Sequence, residues 1–214
     1  MYTYSDFTGL LRNRVSRLTE RDGRAEGEVV LLDNLPGGFI HDGGRIKFGP
    51  DGKLYITLGD TSDSALAQQV DSLAGKILRI NPDGSIPTDN PFPGSPVYSL
   101  GHRNPQGLAW DAITQQLFSS DHGPAGDDEV NIIRAGANYG WPLVSGVSGS
   151  PEFVDPILVF NPAIAPSGIT FYSGEKLVAW QDNLFIATLR GESLLRVVLQ
   201  DPGLESVKTQ ERLF

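Results

Sequence analysis

The sequence contains no cysteine, so it forms no disulfide and offers no thiolate to a metal, and composition leaves its redox compartment open. It has no apolar run long enough to cross a bilayer, and no basic-then-apolar leader follows Met1; neither a membrane span nor a signal peptide is expected. Basic residues are the minority, 17 Lys and Arg against 26 Asp and Glu, for a net charge of -9. That balance works against nucleic acid or an anionic membrane as the main partner, and a small neutral or cationic ligand fits it better. Helical periodicity is missing too. What is abundant is Gly (25) and Pro (15), spread along all 214 residues, which suits many short strands separated by turns in one all-β domain over 1–214.

The stretch HDGGRIKFGPDGKLYITLGD, residues 41–60, reads as a β-hairpin. Ile46 and Phe48 alternate with polar neighbours, Pro50-Asp51-Gly52 makes the turn, and Leu54, Ile56 and Leu58 alternate again. His41 and Asp60 fall at the two open ends. Strands of similar length bring their outer ends together, so imidazole and carboxylate come within reach, the pairing a general base needs. The same residues also suit plain turn and cap roles.

The hairpin recurs. RIKFGPDGKLYITLGD (45–60) is echoed by GLAWDAITQQLFSSDHG (107–123) and by GITFYSGEKLVAWQDNLFIATLRG (168–191), and Gly44, Gly107 and Gly168 open the three units. An apolar strand with a central Arg follows each: KILRINPDG (76–84), the variant EVNIIRAG (129–136) and LLRVVLQDPG (194–203). RVSRLTERDG (14–23) is a fourth copy, preceded only by MYTY. A period near 60 built of strands is the pattern of propeller blades, longer than the roughly 40 to 50 residues of familiar repeats. The count is a little over three blades, whereas closed propellers have about four to eight. Open blade faces invite association, so the chain is either a piece of a ring or closes by dimerisation. A twisted sandwich of about a dozen strands is the plainer alternative.

The loops hold the reactive side chains. NPFPGSPVYSLGHRNPQG (90–107) delivers His102, Arg103, Asn104 and Gln106. DHGPAGDDEVN (121–131) is the most acidic loop; the Gly123 and Pro124 carbonyls with Asp127, Asp128 and Glu129 offer hard oxygens, for which calcium is the matching ion, although the spacing is not that of an EF-hand. A solvated acidic turn accounts for that spacing equally well.

Several ordered motifs resemble one family. HDGGRIKFGPDGKLYITLGD, GKILRINPDGSIPTDNPF, YSLGHRNPQGLAWD, DHGPAGDDEVNII and GANYGWP are similar to the soluble pyrroloquinoline quinone (PQQ) dependent sugar dehydrogenases, the glucose/sorbosone or aldose sugar dehydrogenase family. The resemblance spans residues 1–214 and implies a six-bladed propeller with PQQ and Ca²⁺ at the top of its channel. It also implies oxidation of an aldose to a lactone, an external electron acceptor, and a periplasmic or extracellular location. By the resemblance His41 is the general base, Asp60 orients it, Arg103 and Asn104 contact the quinone oxygens, and Gln106 is a weaker neighbour. Gly123 and Pro124 match carbonyl ligands of the calcium, Asp128 and Glu129 support that loop, and Arg190 meets a PQQ carboxylate. Trp110, Trp141, Trp180 and Tyr139 are read as packing. The family's first blade and a pair of cofactor-gripping arginines have no counterpart between Met1 and Phe214, which implies a piece lacking the first and last blades. Ala163 stands where some relatives carry a hydroxyl. Two other readings stay open: a self-associating or partner-binding propeller module without catalysis, and a calcium-dependent lactonase-type hydrolase, which needs several carboxylates converging on an axial metal.

Overall fold

The computed structural model describes residues 1–200 and 205–214; the Asp201-Pro202-Gly203 end of the LLRVVLQDPG repeat lies outside the described residues. The first strands are β1 (Tyr2–Ser5), β2 (Leu11–Arg21) and β3 (Arg24–Pro36), which form a three-stranded antiparallel sheet. The second sheet comprises β4 (Ile46–Phe48), β5 (Leu54–Leu58), β6 (Lys76–Ile80) and β7 (Val97–Leu100). The third comprises β8 (Pro105–Trp110), β9 (Leu117–Asp121), β10 (Asp128–Ile133) and β11 (Leu158–Phe160). The fourth comprises β12 (Pro166–Phe171), β13 (Leu184–Thr188), β14 (Ser193–Leu199) and β15 (Val207–Arg212). Each sheet is an up-and-down meander, and together they form a partial β-propeller.

The three repeated hairpins are the first two strands of the four-stranded sheets, and the central-Arg strands are β6, β10 and β14. The fourth copy, β2, pairs with β1, which is where MYTY falls. The 41–60 hairpin has the register that its alternation dictates: Ile46 faces Ile56 and Phe48 faces Leu54. The last strand of each sheet, β3, β7, β11 and β15, carries no repeat that marks it in the sequence. Two short 3-10 turns, Ser64–Gln68 and Val178–Trp180, are the helical segments among the described residues.

Alternation along the strands fills the spaces between sheets. Leu54, Ile56, Leu58, Leu78, Ile80 and Val97 pack against Val15 and Leu35, joining the first and second sheets. Tyr55 and Ile77 point to the other face and meet Leu108, Leu117, Ile133 and Tyr139 of the third. Phe118, Val130, Ile132 and Phe160 pack against Ile169, Leu184, Ile186 and Val197 of the fourth. Each fully buried aliphatic contributes about 1.5–3 kcal/mol, so the three interfaces dominate stability.

The central arginine of the second sheet clasps rather than packs. Arg79 is buried, its Nε donates to Asp51 in the hairpin turn at 2.9 Å, and its other nitrogens bond both Asp89 oxygens and Asn90. The first strands β4, β8 and β12 stand side by side: Arg45 Nε donates to Gln106 O at 3.0 Å and Lys47 Nζ to Leu108 O at 3.3 Å. At Gly107 an added Cβ would lie 2.4 Å from Ser167 O, so the close approach of β8 and β12 requires glycine there.

Candidate functional site

Six connections lie at one end of the sheets: 37–45, 59–75, 101–104, 122–127, 161–165 and 189–192. Hydrogen bonds tie each to the next, and they carry every site residue expected from the sequence except Gln106, in β8, and Asp128 and Glu129, which open β10.

His41 sits in the left-handed region, φ 61°, a conformation that costs a non-glycine residue about 1 kcal/mol or more and is held by its surroundings. Its carbonyl accepts from Thr61 N–H at 3.2 Å, and it lies so near Gly59 that a Cβ there would come within 2.0 Å of that oxygen. Glycine at 59 is thus what lets the two open ends of the hairpin meet. His41 Nδ1 is 2.8 Å from Asp60 Oδ1. The same oxygen accepts from Ser62 N–H at 2.9 Å, and Oδ2 accepts from the indole N–H of Trp141 at 2.8 Å. Asp60 is 2 % exposed, so its charge rests on these donors rather than on water. An acceptor-only carboxylate puts the shared proton on Nδ1 and leaves Nε2 of His41 with a free lone pair. The ring is 16 % exposed, partly open to solvent.

The cationic side of the site is attached to this pair. Asp60 N–H donates to Arg103 O at 2.8 Å, and the Arg103 guanidinium lies 5.4 Å from the Trp141 ring centre while donating to His122 O at 3.2 Å. Asn104 Oδ1 accepts from Gly43 N–H and from Gln106 Nε2, both at 3.1 Å. A closed circuit results, from His41 through Asp60, Arg103 and Asn104 to Gly43 and back along the chain.

Asp121 fixes the backbone of this segment, with Oδ1 2.7 Å from Asn104 N and Oδ2 3.3 Å from Arg103 N. His102 is fully buried between Ser99 Oγ at 2.9 Å and Asp121 Oδ2 at 3.3 Å, stacked on Tyr139, and so serves packing. His122 Nε2 lies 2.9 Å from Pro166 O and donates to it, which leaves Nδ1 to accept from Asn104 Nδ2 at 3.5 Å.

The acidic loop separates into distinct roles. Asp128, 1 % exposed, accepts Gly123 N–H at 2.8 Å on one oxygen and the N–H groups of Ile164 and Ala165, each at 2.7 Å, on the other. Its oxygens are committed to backbone, the supporting role rather than that of an ion ligand. Glu129 points inward and accepts from Gly146 N–H and Asn131 Nδ2; burial, reinforced by Asp121 beside it, pushes its carboxyl up to about 7. Asp127 meets Asn161 Nδ2 at 3.1 Å. The carbonyls of Gly123 and Pro124 accept no hydrogen bond among the described residues. No group of three or more His, Asp or Glu is placed to share a metal ion among the described residues. A cation here would take its remaining ligands from water or from a bound anion.

Arg190 is exposed in the β13–β14 turn, and its N–H bonds Ile164 O at 3.1 Å. Among the described residues, that bond to the 161–165 loop, which Asp128 holds, is what links it to the other candidates. The space enclosed by Arg103, Asp121, His122, Gly123, Glu129 and Trp141 is about 10 Å³, too small for more than a water-sized group. A cofactor would therefore lie above these residues, on the open side of the loops. A guanidinium, an amide, two free carbonyls and an exposed arginine suit a planar polyanion bridged to a hard cation. A larger cavity, about 580 Å³, lies at the opposite ends of the strands beside Asp111 and Asp182 and holds none of the candidates. Trp141, read from the sequence as packing, belongs to the site; its only signal was membership of the GANYGWP motif. His122 and Asp121 were likewise hidden beside the glycine and proline that follow them.

Comparison with known proteins places the chain in a family. The aldose sugar dehydrogenase of Escherichia coli is 38 % identical over 72 % of this chain and 47 % of its own length. The quinoprotein glucose dehydrogenase B of Acinetobacter calcoaceticus is 44 % identical over 56 % of this chain and 30 % of its own. The chain spans about half the length, or less, of such curated relatives. Among solved structures, the PQQ-bound aldose sugar dehydrogenase of Streptomyces coelicolor is 41 % identical and superposes with a TM-score of 0.85, covering 94 % of this chain and 59 % of that one. The family model for glucose / sorbosone dehydrogenase matches residues 1–214, and the chain belongs to that family.

Proposed function

We propose that this chain carries the proton-abstracting side, and part of the cofactor grip, of a PQQ- and calcium-dependent dehydrogenase that oxidises an aldose to its lactone. The observation that carries this reading is the 2.8 Å contact between His41 Nδ1 and Asp60, which leaves Nε2 as a base. His41 Nε2 takes the proton of the anomeric hydroxyl as hydride leaves the same carbon, and Asp60 stabilises the imidazolium that forms. Bound PQQ supplies the two-electron acceptor for that hydride, an external acceptor later reoxidising it. Arg103 and Asn104 would hold the quinone oxygens, Arg190 a carboxylate, and the Gly123 and Pro124 carbonyls the calcium. The similarity to a PQQ-bound aldose sugar dehydrogenase supports the cofactor.

Export to the periplasm or outside the cell belongs to the same reading. So does pairing of isolated 214-residue chains through their end sheets, where Val29 and Val30 of β3 stand exposed. Such pairing is also what a non-catalytic module would do. Titration with PQQ in excess calcium, followed by the absorbance change on adding glucose, tests the reading. Sugar-dependent bleaching supports the dehydrogenase, and its absence in the full chain rejects it. A lactonase-type hydrolase is disfavoured, because among the described residues the acids do not converge on one metal position.

A further inference from the structure

Trp141 occupies a position that packing alone does not explain. It belongs to the loop after β10, in the third sheet, yet its indole N–H reaches Asp60 of the second at 2.8 Å. The main chain fixes it on both sides: Trp141 N–H donates to Gly101 O at 3.0 Å, and its carbonyl accepts from Gln68 Nε2 at 2.6 Å. Gln68 is paired amide to amide with Asn138, at 2.7 and 3.1 Å, and Asn138 Oδ1 also accepts Gly140 N–H at 2.9 Å. The indole is thereby set before it meets Asp60. Its ring face also lies 5.4 Å from the Arg103 guanidinium.

The chemistry at Asp60 is what makes the contact consequential. The carboxylate has one oxygen shared by His41 Nδ1 and Ser62 N–H, and Trp141 supplies the donor on the other. Without the indole N–H the carboxylate is free to rotate about its Cβ–Cγ bond, and the imidazole it holds turns with it. One side chain thus fixes the acid that aims the base and shapes the platform under the cation.

Resting on the dehydrogenase reading above, we propose that Trp141 is a positioning residue of the reaction: through its N–H it holds Asp60, and hence His41, and through its ring it holds Arg103. It does not touch the reacting atoms. Trp141→Phe keeps a ring under Arg103 and removes the N–H. In the full chain loaded with PQQ and calcium, this variant lowers kcat roughly tenfold, the worth of one hydrogen bond to a charged group. KM for the sugar stays within about twofold, because no substrate contact is lost. Trp141→Ala, which also removes the ring, weakens PQQ binding as well.

A second measurement needs neither cofactor nor turnover. The chain has three tryptophans and three histidines, so indole N–H and imidazole resonances are readily assigned. At one fixed pH, Asp60→Asn shifts the Trp141 indole proton upfield and leaves those of Trp110 and Trp180 in place. Trp141→Phe moves the His41 ring resonances and leaves those of His102 and His122. A merely structural tryptophan would lower the melting temperature without moving the His41 signals or separating kcat from KM. Unmoved His41 resonances in Trp141→Phe would overturn the proposal. If the wild type oxidises no sugar, the functional reading fails, while the His41 signals still decide whether Trp141 positions the pair.

Discussion

The N–H of Asp60 donates to the carbonyl of Arg103 at 2.8 Å, joining the connection that follows β5 to the one that leads from the second sheet to the third. The acid that orients the base and the cation beside it are thus fixed to each other through backbone, not through flexible side chains. A shift of one sheet against the other would disturb both at once, and the effects of single substitutions in this circuit should not add.

His41→Ala should lower kcat by roughly 10²- to 10⁴-fold, the usual worth of a positioned base, while PQQ binding stays near that of the wild type. Asp60→Asn should fall between the two, because the imidazole remains but loses its carboxylate. Steady-state kinetics alongside cofactor titration checks both, and wild-type turnover in His41→Ala would remove the base assignment.

Asp128→Ala should destabilise by about 3 kcal/mol or more, since three backbone N–H groups lose a buried charged acceptor. The 123–128 and 161–165 loops separate with it, so the rise in melting temperature expected on adding Ca²⁺ should shrink. Thermal melts in calcium and in chelator measure both effects. Equal wild-type melts in the two would remove the calcium site.

Glu129 makes stability depend on pH. Burial pushes its carboxyl up to about 7 from an ordinary 4.5, so between those values the folded state binds more protons than the unfolded one, and stability falls as pH rises through the window. Glu129→Gln should therefore stabilise the protein above pH 7, by at most about 3 kcal/mol, and change little below pH 4.5. Chemical denaturation in chelator at pH 4.5 and pH 8 is the check, and a variant less stable than the wild type at pH 8 would contradict it.

Lys76 is fully buried on β6, with Nζ 2.8 to 2.9 Å from the carbonyls of Leu66, Ala67 and Ala74. Burial pushes its ammonium down to about 8, against the pull of those three dipoles. From pH 8 to 10.5 the unfolded state binds the extra proton, so this group's contribution to stability rises with pH. Lys76→Met should nonetheless lower the melting temperature at pH 7, because it leaves the buried Ala74 carbonyl without a donor and strips a second donor from those of Leu66 and Ala67, which keep the N–H groups of Gln69 and Gly101. An unchanged melting curve would show that water replaces the amine.

The parts of the fold that were legible in the sequence are those that alternate. The hairpin at 41–60, its echoes and the central-Arg strands follow from period-two burial and a Gly-marked turn. The last strand of each sheet lacked such a mark because it lies at the sheet's edge; β3 and β15 are mostly exposed along their length, which leaves little apolar pattern to read. At the site, His41 and Asp60 could be paired because one hairpin joins them. Trp141 could not be added to them: its bond to Asp60 crosses 81 residues and depends on how two sheets stack, which no local spacing encodes. The part of Asp128 was inferable only by resemblance, since an acidic loop reads the same whether its oxygens face an ion or a backbone.

The circuit from His41 through Asp60, Arg103 and Asn104 to Gly43, with Trp141 bonded to Asp60, closes within one uninterrupted stretch of chain, residues 41–141. The polypeptide can therefore be interrupted elsewhere. An insertion at the exposed Asp22-Gly23 turn between β2 and β3 would keep that stretch whole, and it gives protein engineers a place to attach an electrode tether or a redox partner at a distance from the chemistry.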